Sequence, residues 1–215
     1  MRRLRRRLRG AGPPGLDLAG DRDIEWTWVA SRIPPGPGEA LDFGCGTSAL
    51  GLVAAHRGYQ VTAVDLAAVA WPYRVERLSF LEGDILDLAL EDARFDLVIN
   101  CSAIEHVGLP GRYGVTEARA EGDIAAMARM RALMKRGGRM LLTVPVGQDA
   151  VFAPWHRVYG PERLPRLLDG FASESREYWV KDAENRWAKT DEATALAALP
   201  RERLYGLGCF VLRRP

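Results

Sequence analysis

The chain has 215 residues, of which 47% are hydrophobic and 27% are charged, and its formal net charge is +2. This balance is typical of a globular protein with enough apolar side chains for a two-sided core. No apolar run approaches the ~20 residues that a membrane-spanning helix requires, so we expect no membrane span. The spacing of Cys45, Cys101 and Cys209 fits neither a zinc site nor an iron–sulfur cluster, which predicts no metal, reduced thiols and a cytoplasmic protein.

The positive charge is concentrated at the amino terminus, where residues 1–9 contain six arginines. Without them the remaining chain has a formal charge of −4. A glycine- and proline-rich stretch, residues 10–15, follows the arginines. The apolar segment that follows the positive start of a signal peptide is not seen there. We therefore predict a flexible basic tail over residues 1–20, with contact to nucleic acid or an anionic membrane as the alternative, and a single domain over residues 21–215.

Residues 21–33 predict a short helix that has acidic residues at its start and ends before Pro34 and Pro35. Trp26 and Trp28 cannot both face inward from such a helix. We expect one to pack in the core and the other either to pack there too or to line the mouth of a ligand site.

Residues 41–50 (LDFGCGTSAL) predict a strand, a glycine turn and the start of a helix. Gly44 and Gly46 let the backbone turn sharply and approach a ligand, and the free N–H groups of the helix suit an anionic or carboxylate-bearing cofactor. With Ala49 these glycines also satisfy the dinucleotide fingerprint, so alone they leave both cofactor classes open. The carboxylate of Asp42 can accept a hydrogen bond from a cationic amino group or from the turn, whereas its negative charge would disfavour a pyrophosphate.

This order of apolar strand, acid and Gly-x-Gly resembles the class I S-adenosylmethionine-dependent methyltransferases. The resemblance continues, in order, through about two-thirds of the chain. It implies an α/β, Rossmann-like, doubly wound and mostly parallel sheet of about seven strands that ends in an antiparallel hairpin. The corresponding segments are strands at 61–65, 80–82, 95–102 and 139–145, a helix at 123–135, a turn at 136–138 and hairpin strands at 178–180 and 208–212.

The resemblance implies S-adenosyl-L-methionine as cofactor and S-adenosyl-L-homocysteine as product. Asp65 follows Gly44 by 21 positions, near the spacing at which a carboxylate meets ribose hydroxyls. Asp84 would accept from the adenine amino group, and Ile85 would pack on the ring. Trp71 and Tyr73 either flank the adenine or pack in the core. The remaining cofactor-binding predictions are Asp42, Gly44, Cys45, Gly46, Leu66, Asn100 and Cys101.

Methyl transfer to a hydroxyl requires a group that accepts its proton, and histidine is suited to this role. His106 follows the fourth predicted strand at the place where the family often carries a glutamate–histidine pair. We predict that it accepts a proton or positions the substrate, with Glu105 as its partner or as a substrate contact; the alternative is a histidine that only holds the loop. His56, at the end of the helix after the glycine turn, is interpreted as structural.

A third histidine, His156, opens a segment after the fifth predicted strand. His156 and Tyr159 are candidate substrate contacts, with a helix expected to begin at Pro161; the alternative is a loop whose polar groups bond only to backbone. Residues 108–114 are glycine-rich and longer than a plain connection, and we expect them to form one wall of the acceptor site. Residues 181–205 would form a small lid or a homodimer contact.

The chain lacks the Asn/Asp-Pro-Pro-aromatic run of many amino-group methyltransferases, and Cys101 does not follow a proline. It also lacks an aromatic–basic stripe, so we expect no nucleic-acid partner. The hypothesis is a small-molecule methyltransferase, with oxygen as the methylated atom. One alternative is a protein of the same fold that binds the cofactor for a non-methylating reaction or as a binding subunit. The other is an NAD(P)-dependent oxidoreductase, which would share the glycine turn, but the chain lacks the Tyr-x-x-x-Lys pair that short-chain oxidoreductases use for proton transfer.

Overall fold

The computed structural model describes residues 22–70, 74–182, 184, 186–202 and 204–215. The helices are α1 (Arg22–Arg32), α2 (Leu50–His56), α3 (Gly122–Leu133), α4 (Arg163–Leu167) and α5 (Glu192–Ala197), with a 3-10 turn at Ile104–His106. The strands are β1 (Gly38–Phe43), β2 (Tyr59–Asp65), β3 (Leu78–Glu82), β4 (Phe95–Cys101), β5 (Met134–Val146), β6 (Ala150–Phe152), β7 (His156–Val158), β8 (Ala172–Lys181), β9 (Trp187–Thr190) and β10 (Gly206–Arg213).

Eight strands form one mixed sheet in the order β3-β2-β1-β4-β5-β10-β8-β9. The first five pair in parallel, while β10 pairs antiparallel with both β5 and β8. This arrangement confirms the predicted α/β fold with an antiparallel carboxyl-terminal part. The sequence did not predict β9, which adds a strand to the edge of the sheet.

The inner strands of the sheet, β1, β2, β4, β5 and β10, are largely buried, as the apolar runs of its central parallel strands require, whereas β3, β8 and β9 are mostly exposed or half-buried. On one face, α3 and α4 contribute Met127, Met130, Leu164 and Leu167 to the core, and on the other α1 and α2 contribute residues that include Val29. Parallel strands covered on both faces bring the loops after β1 to β4 to one edge of the sheet, and this edge carries the cavity described below.

Several boundaries differ from the sequence-based prediction; α3 ends at Leu133 rather than at residue 135, and β8 covers Ala172–Lys181 rather than 178–180. Residues 136–138, expected as a turn, lie inside β5 as an irregularity in its pairing with β4, where Gly137 has a φ of 77°. The helix expected at Pro161 begins at Arg163, although the N–H of Leu164 already donates to the carbonyl of Gly160. Neither of the last two differences moves a residue toward or away from the cavity.

β6 and β7 form a small separate hairpin, joined to the main sheet through a bridge between Val146 and Tyr159. This hairpin carries His156 to the cavity. Among the described helices, none has the length and apolar character needed to cross a membrane.

Candidate functional site

A cavity of about 950 Å³ opens at the carboxyl ends of the parallel strands. Its floor comes from the four strand ends, and its walls come from α1, the loop before α3, the β6–β7 hairpin and the segment before β10. The lining residues are 43–48, 64–66, 83–85, 101–103, 105–108, 112–117, Arg22, Glu25, Trp26, Arg119, Trp155, His156, Lys181, Glu202 and Tyr205.

The glycine turn forms the centre of the cavity floor. Gly44 and Gly46 have φ values of 62° and 47°, in the left-handed region that glycine adopts readily. A side chain at Gly44 would collide with Ala103, which follows β4, whereas a side chain at Gly46 would have no atom within 4 Å and would fill open space. The turn therefore packs tightly against the end of β4 and leaves room for a ligand beside Gly46.

Carboxylates mark the ends of two neighbouring strands. Asp65, at the end of β2, accepts from the N–H of Gly46 at 2.9 Å, and Asp84, after β3, accepts from the N–H of Leu86 at 3.0 Å. Arg119 approaches Asp84 at 3.5 Å. Ile85 is buried beside Asp84 and lines the same cavity. The sheet edge thus presents two carboxylate acceptors, Asp65 and Asp84, and the apolar side chain of Ile85 to the cavity.

His106 lies in the wall of the cavity, on the 3-10 turn that follows β4. Its Nδ1 contacts the carbonyl oxygen of Trp155, and its Nε2 lies 3.6 Å from Oε1 of Glu105. Burial lowers the pKa of His106 to about 4; the Trp155 carbonyl opposes this shift, and positive charges such as Arg112 add to it. His106 is therefore neutral near pH 7, and because a carbonyl only accepts, Nδ1 carries the proton and Nε2 is the acceptor.

A buried guanidinium holds the turn of His106 from behind. Arg157, on β7, donates to the carbonyl oxygens of Val107 at 2.6 Å, Glu105 at 3.4 Å and Arg119 at 3.3 Å. Its Nε lies 3.8 Å from a carboxylate oxygen of Asp123, which is fully buried. One side chain therefore joins the His106 turn, the loop before α3 and the β6–β7 hairpin.

The outer wall of the cavity is aromatic and cationic. The Arg112 guanidinium lies 4.4 Å from the ring centroid of Tyr113 and 5.5 Å from that of Trp155. The ring of His156 packs edge-on against Tyr205 at 4.9 Å. Such a wall suits a flat, partly apolar small molecule.

Comparison with known proteins assigns this chain to a family. A family model described as "Caenorhabditis protein of unknown function, DUF268" matches residues 85–193. The ubiquinone biosynthesis O-methyltransferase of Xanthomonas axonopodis pv. citri (strain 306) is 30% identical over 184 residues, which cover 81% of this chain and 70% of that protein. The chain belongs to the DUF268 family and to the class I S-adenosylmethionine-dependent methyltransferases.

Solved structures share the fold of this methyltransferase at low sequence identity. The 1,6-didemethyltoxoflavin-N1-methyltransferase of Burkholderia thailandensis, solved with 1,6-didemethyltoxoflavin and S-adenosylhomocysteine, has a TM-score of 0.61 and 19% identity, with coverage of 90% of this chain and 82% of that one. The [4+2]-cyclase SpnF has a TM-score of 0.60 and 18% identity, covering 88% and 79%. The cofactor of this enzyme is S-adenosylmethionine, as in the family to which the 30% identical relative assigns the chain.

The cavity fits that cofactor. The open space beside Gly46, the Asp65 carboxylate and the Asp84–Ile85 surface lie in a row that matches the polar and planar parts of an adenosyl group. Eight of the predicted cofactor-binding residues line the cavity: Gly44, Cys45, Gly46, Asp65, Leu66, Asp84, Ile85 and Cys101. Trp71 and Tyr73 lie outside the described residues.

Two predicted cofactor residues do not line the cavity. Asp42 is buried behind the turn, where a side chain at Gly51 would lie 2.8 Å from its Oδ2. Burial raises the pKa of Asp42 to about 7. The hydrogen bond from the Gly51 N–H opposes this rise, and the negative charge of Asp65 adds to it. Asn100 is fully buried, with its amide nitrogen 3.7 Å from the sulfur of Met127 on α3. Alternation along β4 turns Asn100 into the core and leaves the next residue, Cys101, at the cavity.

The candidate substrate contacts do not all lie at the cavity. His106, Glu105 and His156 line the cavity, but Tyr159 is fully buried and donates to Asp123 at 3.1 Å, so the prediction that it contacts substrate is wrong. Tyr159 directly follows β7 and forms a bridge with Val146 at the end of β5. Residues 108 and 112–114 line the cavity as the predicted wall. His56 is exposed on α2, away from the cavity.

Sequence reasoning considered Trp26 for the cavity but missed Glu25, Lys181 and Glu202. Trp26 lines the cavity while Trp28 packs in the core, which confirms one of the two arrangements considered. Glu25, on the same helix, lines the cavity although it is almost fully buried. Lys181 and Glu202 come from the segment interpreted as a lid or a dimer contact, and they form part of the wall. An acid on a helix with an acidic start carries no local signal that it turns inward.

Proposed function

We propose that this methyltransferase transfers a methyl group to a hydroxyl oxygen of a small molecule. The observation that carries the proposal is a neutral imidazole, His106, in the wall of the cofactor cavity with Nε2 as its proton acceptor. The name of the Xanthomonas relative, an O-methyltransferase, supports oxygen as the acceptor atom.

The cofactor residues have separate roles in this proposal. Asp65 accepts from the ribose hydroxyls, because a carboxylate has lone pairs beyond the one that Gly46 uses. Asp84 accepts from the adenine amino group, and Ile85 packs on the ring. Gly44, Cys45, Gly46, Leu66 and Cys101 shape the floor around the cofactor.

S-adenosylmethionine supplies an electrophilic methyl group on a sulfonium sulfur. With the cofactor held by Asp65, Asp84 and Ile85, Nε2 of His106 would accept the proton of the attacking hydroxyl as its oxygen takes the methyl group and S-adenosylhomocysteine leaves. The resulting imidazolium is stabilised by the Glu105 carboxylate at 3.6 Å from Nε2, while the Trp155 carbonyl holds the other nitrogen. Methyl transfer thus needs the chain to align an oxygen and to take one proton.

The outer wall selects the acceptor in this proposal. Tyr113 and Trp155 offer ring faces, Arg112 offers a positive charge above them, and His156 contacts the substrate from the hairpin. A planar acceptor whose oxygen develops negative charge fits this combination.

The proposal is tested in two steps. Calorimetric titration with S-adenosylhomocysteine should show binding that Asp65→Ala weakens and that His56→Ala, a change at an exposed position, leaves unaltered. An acceptor screen read by mass spectrometry should then find a product that gains one methyl group on oxygen. A methyl group found only on nitrogen, or chemistry without any mass gain, as expected of a cyclase with this fold, would contradict the proposal.

A further inference from the structure

Arg112 is the cation of the outer cavity wall, and among the described residues it contacts aromatic rings and pairs with no carboxylate. Of the other cations that line the cavity, Arg119 lies 3.5 Å from Asp84, and Arg22 and Lys181 also have partners in the chain. We propose that the acceptor carries a carboxylate group that pairs with Arg112, which makes it a hydroxylated aromatic acid. The inference rests on the proposed function, because it names the class of acceptor at the same site.

A tight loop presents Arg112 to the cavity. The N–H of Gly111 donates to the carbonyl oxygen of Val115 at 2.9 Å, and the N–H of Val115 donates to that of Arg112 at 3.0 Å. Tyr113, inside this loop, has a φ of 53°, which non-glycine residues rarely adopt unless their surroundings hold them there. A side chain at Gly111 would lie 3.2 Å from Pro154, so the loop also packs against the β6–β7 hairpin. The guanidinium is therefore presented from a fixed turn.

The surroundings of Arg112 suit an aromatic acid. Its guanidinium stacks on Tyr113 and Trp155, and these two residues are still 45% and 42% exposed, so the described chain leaves part of each ring uncovered. Stacking uses the face of a guanidinium and leaves its N–H edge for a carboxylate, which it can bind through two parallel hydrogen bonds. A planar ring with a carboxylate would contact both features at once.

The same wall carries the proton acceptor. The imidazole of His106 packs edge-on against Tyr113, with ring centroids 5.6 Å apart, and its Nδ1 contacts the carbonyl oxygen of Trp155. Because the guanidinium carbon of Arg112 lies 4.4 Å from the Tyr113 centroid, it is at most about 10 Å from the imidazole centre. One benzene ring with a hydroxyl and a carboxylate on different carbons can span such a gap, with a hydrogen bond at each end.

Charge gives the carboxylate a second effect, on the base itself. Burial is the largest cause of the lowered pKa of His106, and the positive charge of Arg112 lowers it further, as do His156 and Arg157. A carboxylate on Arg112 would offset that positive charge and raise the pKa of His106 when the acceptor binds. An acidic acceptor would thus strengthen the base that takes its proton, whereas a neutral acceptor would not.

The test compares acids with neutral ligands of the same shape. Calorimetry on the complex with S-adenosylhomocysteine would use 2-, 3- and 4-hydroxybenzoate, each beside the corresponding hydroxybenzamide. At least one acid should bind about 10- to 100-fold more tightly than its amide, the effect of a charge-assisted pair. Arg112→Gln should remove this preference and leave affinity for the amide and for S-adenosylhomocysteine nearly unchanged. Arg94→Gln is the matched control, because it removes a guanidinium that lies 5.0 Å from the Phe95 centroid, outside the cavity, and it should keep the preference.

Each other outcome has a defined meaning. Acids that bind no better than their amides, including the case in which neither binds, would overturn the inference. It would also be overturned by a preference that survives Arg112→Gln, or by an equal loss for acid and amide in that variant. Weaker binding of S-adenosylhomocysteine in Arg112→Gln would place the side chain on the cofactor instead. Tight, Arg112-dependent binding of acids without any O-methylated product would leave the carboxylate site standing and reject the proposed function.

Discussion

Burial decides the charge of His106 and therefore what it can do in the reaction. Its pKa is lowered to about 4, so the imidazole is neutral over the whole range in which most enzymes work. The lowered pKa also affects folding, because the unfolded chain binds a proton between pH 6.5 and 4 that the folded chain does not. This contribution destabilises the fold as the pH falls through that window.

The first prediction concerns turnover. His106→Ala should lower kcat by at least about 100-fold, the usual contribution of a positioned general base, and leave affinity for S-adenosylhomocysteine nearly unchanged. The unaltered enzyme should keep its activity as the pH falls toward 4, because His106 remains neutral until then. Steady-state kinetics as a function of pH, with calorimetric binding, measure both effects. Full turnover in the variant, or a loss of cofactor binding, would contradict the assignment.

Asp42 gives the opposite pH dependence. Its folded pKa of about 7 lies above the ordinary value of 3.8, so the folded protein binds the extra proton between these values. Stability from this group is present at low pH and is lost as the pH rises through 7. Because one pKa unit corresponds to about 1.4 kcal/mol and pH 5 lies two units below the folded pKa, the unfolding free energy of the wild type relative to Asp42→Asn should fall by roughly 3 kcal/mol from pH 5 to pH 8. Denaturant titrations at both pH values that give parallel profiles would exclude this account.

At the scale of elements, one side chain connects segments that are distant in the sequence. Arg157 ties β7 to the 3-10 turn of His106 and to the loop before α3, and it does so from a fully buried position. Asp123 receives Arg163 as well, with its Oδ1 2.5 Å from Nη2. The geometry of the cavity wall that carries His106 therefore depends on a buried network behind it.

The prediction for this network is a loss of stability. Arg157→Ala should lower the unfolding free energy by about 3–5 kcal/mol, because it leaves buried carbonyls and part of the charge of Asp123 without their partner. Arg166→Ala is the control; it removes an exposed ion pair with Glu121 and should cost under about 1 kcal/mol. Chemical denaturation measures both. Equal costs for the two variants would show that the buried network does not stabilise the fold.

At the scale of the whole molecule, the cavity joins both halves of the sheet. Its lining comes from α1 at one end of the described chain and from Tyr205 next to β10 at the other. The basic tail lies outside the described residues and stays a prediction, as does the single domain over residues 21–215. A homodimer contact through residues 181–205 likewise stays a prediction.

A single domain predicts one cooperative transition that responds as a unit to the cofactor product. Tryptophan fluorescence and far-ultraviolet circular dichroism should report the same unfolding midpoint. S-adenosylhomocysteine at 100 times its dissociation constant should add about 2.7 kcal/mol to the unfolding free energy seen by both probes. Two separate transitions, of which only one shifts with the ligand, would reject the single-domain prediction.

Local patterns predicted the parts of the site that the backbone forms. The glycine turn at Gly44 and Gly46 and the acids at Asp65 and Asp84 follow strands whose apolar runs are readable in the sequence, and chain order places such strand ends at one edge. His106 was located in the same way, by its distance from the end of β4. These features depend on residues close together in the chain.

Side-chain direction could not be predicted in this way. Asp42 and Asn100 stand at strand ends like the residues that do line the cavity, but the strand alternation and the packing of Gly51 and Met127 turn them inward. Tyr159 is of a residue type common in binding sites, but it is buried and its hydroxyl donates to Asp123. Only contacts between distant segments distinguish these cases.

The amino-acid sequence by itself predicted the fold class, the cofactor and the position of the His106 turn, because each is carried by a short motif whose geometry the backbone sets locally. The tertiary structure decided which carboxylates and rings face the cavity. Glu25 reaches Ser102 and Thr143 across more than 70 residues of chain, and Arg157 reaches Val107 across 50. Such partners are chosen by packing, which has no signature in the neighbouring sequence.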